Sequence, residues 1–221
     1  MDEEILLIDK PAEMTSFGVV ARVRRLLSQQ AGKKVKVGHT GTLDPFATGL
    51  MILMIGKGTK RSGEFLKLDK EYEATIRLGQ TSSTGDPEGE ITDFSEEVVK
   101  PSQQDVEECL CNFVGEIEQV PPAYSAIKIN GQRAYKLART GQVVEMPVRK
   151  VNVFSLELLN YEYPILKIRA HVSSGTYIRT LAEDIGRQLG VGAYCSELRR
   201  TKVADYNVKQ AKTLEEMGIL S

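Results

Sequence analysis

The chain of 221 residues has no run of about 18 apolar residues, so nothing in it reads as a membrane-spanning helix. Its first ten residues, MDEEILLIDK, are acidic and lack a signal-peptide pattern, which makes the cytoplasm the expected location. Cysteine is scarce. Cys109, Cys111 and Cys195 are odd in number, and the first two are too close for an ordinary disulfide, so a reducing compartment and small core thiols are expected. Histidine is scarcer: His39 and His171 stand in neither a CxxC nor an HExxH context, and no metal site is expected. No internal repeat occurs and no linker splits the chain, so one domain over 1–221 is the expectation.

Net charge is also nearly absent, at −1, which at first sight argues against a nucleic-acid partner. The average conceals blocks. Residues 1–62 carry +4, residues 63–118 carry −11 and residues 119–221 carry +6. Phosphate binding depends on local basic surface rather than on the mean, so a two-faced molecule is expected, with 86–118 turned away from any RNA. Taken alone, such blocks are more often merely solvated faces.

Apolar residues make up 41% and charged residues 27%, as in ordinary globular domains. EILLI at 4–8 reads as a strand. Thr15 and Ser16 can cap a helix that carries Val19, Val20, Val23, Leu26 and Leu27 at helical spacing. AGKKVKVGHTGT at 31–42 reads as a Gly- and Lys-rich loop, and LMILMI at 50–55 as a buried strand. Tyr72, Ala74, Ile76 and Leu78 alternate as on a half-buried strand, and 81–90 is turn chemistry throughout. Ser102 and Asp105 resemble a capping box that opens a helix ending near Gly115. The 119–150 stretch, with six basic residues and Glu145 as its one acid, reads as a partly ordered surface excursion. Residues 151–159 and 165–172 read as a strand pair. Ile178, Leu181, Ala182, Ile185 and Leu189 form a helical stripe closed by Gly190. Strands and helices mix without βαβ alternation, which indicates α+β.

Two segments stand out chemically. Gly38-His39-Thr40-Gly41-Thr42-Leu43-Asp44-Pro45-Phe46-Ala47-Thr48-Gly49-Leu50 holds three glycines, small residues and one carboxylate followed by proline. It can approach a ligand closely, or it can be a turn with a local side-chain bond. It lacks P-loop spacing. In Ser173-Ser174-Gly175-Thr176-Tyr177-Ile178-Arg179-Thr180, Arg179 falls in the first turn of a helix, where the dipole disfavours a cation. A carboxylate partner would explain it, and so would simple surface exposure.

GHTGTLDPFATGL at 38–50, KEYEA at 70–74, RLGQTSSTGD at 77–86, QVPPAYSAIKINGQRAYKLAR at 119–139, SSGTYIRTLAEDIG at 173–186 and LRRT at 198–201 together resemble the bacterial tRNA pseudouridine synthase B family. The guide-dependent relatives of dyskerin share part of this set. The resemblance implies a pseudouridine synthase fold: a mixed, largely antiparallel sheet flanked by helices, with an RNA-binding thumb loop at about 119–150. It implies isomerisation of the T-loop uridine of tRNA after base flipping, a reaction without redox change or group transfer that requires no cofactor; with no obvious association segment in the sequence, a monomer is expected. Asp44 is the implied catalytic aspartate and Arg179 its partner. The resemblance implies that Tyr72 stacks on the flipped base, and Tyr72 is a candidate base for the C5 proton, with bound water as the alternative. His39 helps to open the T-loop. Tyr177 and Leu198 line the uracil pocket, and Thr42 joins the substrate-binding set. Lys10, with Pro11, braces the active-site loop. RNA phosphates are expected on the 22–36 basic cluster and the 128–150 excursion.

Two departures are visible. Glu13 stands where the family's KPxGxTS motif usually has glycine, and no PUA domain of the kind that ends most relatives is expected within residues 1–221. The competing readings are an RNA chaperone or binding module acting without catalysis, and a synthase acting on another RNA.

Overall fold

The computed structural model describes residues 5–95, 99–122, 124, 125, 127–129, 131–134, 137 and 146–219. Its elements run β1 (Ile5–Lys10), α1 (Ser16–Ala31), β2 (Val37–His39), β3 (Thr48–Ile55), α2 (Ser62–Leu66) and β4 (Lys70–Leu78). Then follow β5 (Gln80–Ser82), β6 (Ile91–Asp93), α3 (Gln103–Cys111), β7 (Gly115–Gln119), β8 (Lys128–Ile129) and β9 (Gln132–Arg133). The last are β10 (Arg149–Glu162), β11 (Ile165–Val172), α4 (Ile178–Gln188), β12 (Ala193–Val203) and β13 (Tyr206–Asn207). Helices and a mixed sheet without βαβ repetition make this an α+β protein, as the element pattern indicated. The chain forms two compact units, Met1–Glu73 with Leu198–Ser221, and Ala74–Glu197. Strands β4 and β12 each begin in one unit and end in the other.

In the first unit β3 is the organising strand. Its sequence, TGLMILMI, has no charged residue, and Leu50 to Met54 are all buried, as a strand covered on both faces requires. One edge pairs antiparallel with β1, from Ile5 opposite Met54 to Lys10 opposite Gly49. The other edge takes β2 antiparallel at its C-terminal end and β12 in parallel at its N-terminal end, with Arg200 opposite Gly49. Leu50, Ile52, Met54, Phe65 and Val203 pack as one core cluster. Helix α1 starts where Thr15 Oγ1 accepts from Gly18 N at 3.0 Å and stops where Gly32 turns left-handed. The cap is worth about 1 kcal/mol, and the buried stripe Val19, Val20, Val23 and Leu27 holds the helix down. Glu13, just before it, has a φ of +60°.

The second unit is ordered β4-β11-β10-β7, with Val151 opposite Ile117 and Leu158 opposite Ile168. The alternation read in β4 is real: Ala74, Ile76 and Leu78 are buried. Helix α3 has the capping box, Ser102 Oγ accepting from Asp105 N while the Asp105 carboxylate accepts from Ser102 N. It ends at Cys111, and β7 begins at the Gly115 expected to close it. The 81–90 turn segment is flanked by a small hairpin, β5 with β6. The thumb-loop expectation for 119–150 falls partly outside the described residues. Within them it holds the end of β7, the β8–β9 hairpin and the start of β10. Cys109 and Cys195 are buried free thiols, and burial pushes the Cys109 thiol up to about 11. Among the described residues, no helix is long and apolar enough to cross a membrane.

Candidate active site

The Asp44 segment is the connection of the β2–β3 hairpin. Thr40 N donates to Ile52 O at 3.1 Å at its entry. Asp44 is half-buried at the tip, Thr42 is exposed, and Leu43 and Ala47 are buried on either side. Ala47 N donates to Asp44 O at 3.2 Å and closes a turn around the proline.

Three side chains from distant parts of the sequence hold this loop. Ser16, the first residue of α1, accepts from Leu43 N at 2.8 Å and donates to Leu43 O at 2.9 Å. Lys10, fully buried at the end of β1, donates to Pro11 O at 2.7 Å, Met14 O at 2.6 Å and Pro45 O at 2.9 Å. Arg200, 2% exposed on β12, donates from Nε to Leu50 O at 2.7 Å and from a terminal nitrogen to Gly41 O at 3.2 Å. Its backbone presses on Gly49: a Cβ there would sit 2.3 Å from Arg200 O, and φ is +103°. Only glycine fits.

Six of the expected site residues lie in this first unit. Lys10 and Asp44 are placed as just described. His39 is half-buried on β2, opposite Leu53, and Tyr72 is 8% exposed on β4. Leu198 is buried on β12, two residues from Arg200, and Thr42 sits on the loop itself. Beside Tyr72 on β4, Lys70 is buried and donates to the carbonyls of Leu66 and Leu68. Burial first, then the Arg200 charge, lowers its pKa to about 8, with Asp69 opposing.

The second unit holds the other two. Tyr177 caps α4, and its backbone exchanges two hydrogen bonds with the buried Gln119 side chain, at 3.0 and 3.2 Å. Arg179 follows in the first turn and is 4% exposed, which removes the surface-arginine alternative. It donates to Asp86 Oδ2 at 2.7 Å, to Thr84 O at 2.9 Å and to Tyr124 O at 2.9 Å. Asp86 is itself 3% exposed, and its other oxygen accepts from Thr84 Oγ1 at 2.5 Å and Glu88 N at 3.0 Å. The cation at a helix N-terminus is thus offset by a buried carboxylate and two carbonyls. One turn on, burial raises the pKa of Glu183, and neighbouring Asp184 adds to that.

Sequence reasoning missed four of these residues. Ser16 was read as a cap, yet Thr15 caps the helix and Ser16 holds the loop. Asp86 was read as turn chemistry. Gln119 and Arg200 carried no stated role. The usable signal for Arg200 was an arginine pair, Arg199-Arg200, in a segment without acidic neighbours on its C-terminal side. Among the described residues, no three His, Cys, Asp or Glu side chains gather as a metal ion would require.

The model for the TruB family pseudouridylate synthase N-terminal domain matches residues 24–178, and that for the tRNA pseudouridylate synthase B C-terminal domain matches residues 179–219. The chain is 48% identical over 213 residues to tRNA pseudouridine synthase B of Pseudomonas fluorescens (strain Pf0-1), covering 96% of this chain and 68% of that protein. It is 46% identical to the protein of the same name from Azoarcus sp. (strain BH72), covering 96% of this chain and 69% of that one. Among solved structures it is similar to a chain of a Cbf5-Nop10-Gar1 complex, with a TM-score of 0.73, 30% identity and coverage of 96% of this chain and 52% of that one. A chain of an H/ACA RNP bound to a substrate RNA containing 2'-deoxyuridine gives a TM-score of 0.70 and 28% identity, with coverage of 96% and 51%. This chain therefore spans about half the length of those solved chains. A pseudouridine synthase fold, two adjoining family models that together span most of the sequence, and close identity to bacterial relatives lead to one assignment: the chain belongs to the TruB family of pseudouridylate synthases.

Proposed function

We propose that this protein is an isomerase that converts the T-loop uridine of tRNA, conventionally numbered fifty-five, to pseudouridine, acting as a monomer without metal or cofactor. The observation that carries the reading is the Asp44 loop: a half-buried carboxylate on a turn held by Lys10, Ser16 and Arg200. A loop that only filled space would need no such restraint, whereas a reacting group does.

The reaction breaks the N1–C1′ bond, turns the uracil and joins C5 to C1′. Atoms and electrons balance within the nucleotide: the C5 proton is released to solvent and the freed N1 takes one up. Asp44 acts at the sugar in one of two ways. It attacks C1′, with the uracil leaving as an anion whose C5 later displaces the carboxylate from C1′, or it removes the C2′ proton as uracil leaves to give a glycal, to which C5 adds at C1′ while C2′ regains its proton. The base must first leave its stack, at a cost of a few kcal/mol. Stacking on Tyr72 and insertion of His39 offset that cost, Tyr177 and Leu198 enclose the uracil, and Thr42 contacts the RNA beside the carboxylate. Arg179 keeps the carboxylate ionised, and Tyr72 takes the C5 proton.

Phosphates dock on the first unit. A groove lined by Lys33, Lys34, Lys36, Lys57 and Lys60 has no acidic side chain in its wall. It extends the basic cluster of α1, where Arg22 and Arg25 are exposed. Such a surface binds through counterion release and so is salt-dependent.

The test is tritium release from 5-tritiated uridine in an unmodified tRNA transcript, beside a transcript with cytidine at the target position. Release from the first alone is expected. Release from both would overturn the site, and release from neither would overturn the reaction. Lys57→Glu with Lys60→Glu should weaken binding and lower its salt slope by about 2. An unchanged slope would place the phosphates elsewhere.

A further inference from the structure

Taking Asp44 as the reacting carboxylate, as proposed above, we propose that Ser16 is a positioning residue that sets its aim. A carboxylate on a loop points where its backbone points, and three peptide planes govern that backbone. The plane entering Asp44 contains Leu43 O, which accepts from Ser16 Oγ at 2.9 Å. The plane before it contains Leu43 N, which donates to the same oxygen at 2.8 Å. The plane leaving Asp44 contains Asp44 O, which accepts from Ala47 N. Beyond it the proline ring fixes φ, and Lys10 holds Pro45 O at 2.9 Å. One serine hydroxyl thus restrains the N-terminal side of Asp44 as an ammonium and a proline ring together restrain the C-terminal side.

The hydroxyl is free to do this because the helix does not use it. Thr15 is the N-cap and Ser16 only the first helical residue. Ser16 is also 3% exposed, so water does not compete for its oxygen. Leu43 is equally buried, and its N–H and C=O need partners in any case. Supplying both from one side chain ties the start of α1 to the residue before Asp44. Alanine is a better helix former than serine, so Ser16→Ala removes the tie without weakening the helix.

The experiment measures single-turnover product formation with excess enzyme on the tRNA transcript, tRNA binding by filter retention, and exchange of the Leu43 amide. Rates are scaled to the folded fraction. In Ser16→Ala the rate constant should fall about 10- to 100-fold, the loss expected from misplacing a reacting group by about an ångström. Binding should be unchanged and the Leu43 amide should exchange faster. Ser16→Gly, which leaves no methyl to press on Leu43, should show the same loss. Ser16→Thr, which restores a hydroxyl, should recover most of the rate. A wild-type rate in either hydroxyl-free variant overturns the role. So does an equal loss of rate in a folded Ser16→Thr. Asp44→Asn is run alongside. If it is inactive while Ser16→Ala runs at full rate, only the Ser16 role falls. If Asp44→Asn still turns over, the Asp44 reading falls and the Ser16 role with it.

Discussion

Two buried cations, one in each unit, are accommodated in opposite ways. Lys10 gathers backbone: its ammonium donates to three carbonyls, and two of these belong to the turn that follows it. Arg179 orients through charge: its guanidinium meets the Asp86 carboxylate as well as two carbonyls. The contrast follows from the side chains. A compact ammonium on a flexible stem can collect oxygens from any direction, so it suits a loop that must be drawn together. A planar fork demands partners in a plane, so it suits a site where direction matters. The Asp44 loop is held by the first device at Pro45 and by a second arginine, Arg200, at Gly41 and Leu50.

The largest effect should come at the carboxylate on the loop that Lys10 holds. Asp44→Asn should lower turnover at least about 10³-fold while leaving tRNA binding intact. Product formation at more than a few per cent of wild type would remove Asp44 from the chemistry. Next, Asp86→Ala should cost about 3–5 kcal/mol in urea unfolding, because it leaves a buried guanidinium without its carboxylate. Lys10→Met, which strands the carbonyls of Pro11, Met14 and Pro45, should cost less, about 1–3 kcal/mol. Equal costs would mean that the two cations are held by the same means.

Lys70 sharpens the comparison within one unit. Its ammonium also meets carbonyls, and burial lowers its pKa from 10.5 to about 8. Below pH 8 both folded and unfolded chains are protonated, and folding bears the full cost of burying the charge. Between about pH 8 and 10.5 the folded protein has lost the proton and the unfolded chain has not, so stability should rise as pH rises. The rise amounts to about 3 kcal/mol at most. Urea midpoints measured across that range should climb in the wild type and stay comparatively flat in Lys70→Met. Parallel curves would show that Lys70 titrates normally.

The smallest effect concerns the turn that Lys10 gathers. Glu13 occupies the left-handed region, where a side chain costs about 1–2 kcal/mol. Glu13→Gly should raise stability by about 1 kcal/mol, because part of that gain is lost to the greater freedom of the unfolded chain. A loss of stability would mean that the Glu13 side chain holds the turn by contacts of its own. The sequence shows the departure at this position through the family's glycine, but the sign of φ emerges only once the chain wraps around Lys10.

That example shows where legibility ends. Local signals were readable: the α3 capping box, the alternation in β4, the apolar β3 and the carboxylate among glycines. These depend on neighbours within a few residues. What was missed depends on distant partners. Strand β12 has a glutamate, two arginines and a lysine among its eleven residues, so no apolar alternation marks it. One of those arginines is buried because it bonds Leu50 and Gly41, which lie 150 and 159 residues earlier. Strand β2 was hidden for the same reason: three residues within a Lys-rich loop gain their strand character only by pairing with β3. Asp86 looked like a turn residue until α4 brought Arg179 to it across 93 positions.

The long span from Leu50 to Arg200 also sets an order of events during synthesis. At about 5–20 residues per second the ribosome adds the arginine roughly 8 to 30 s after it has made the loop that the arginine ties. Throughout that interval Gly49 lacks its β12 neighbour and the carbonyls of Gly41 and Leu50 lack this donor. The nascent protein therefore carries Asp44 from early in translation, but the framework around its loop closes only when β12 arrives.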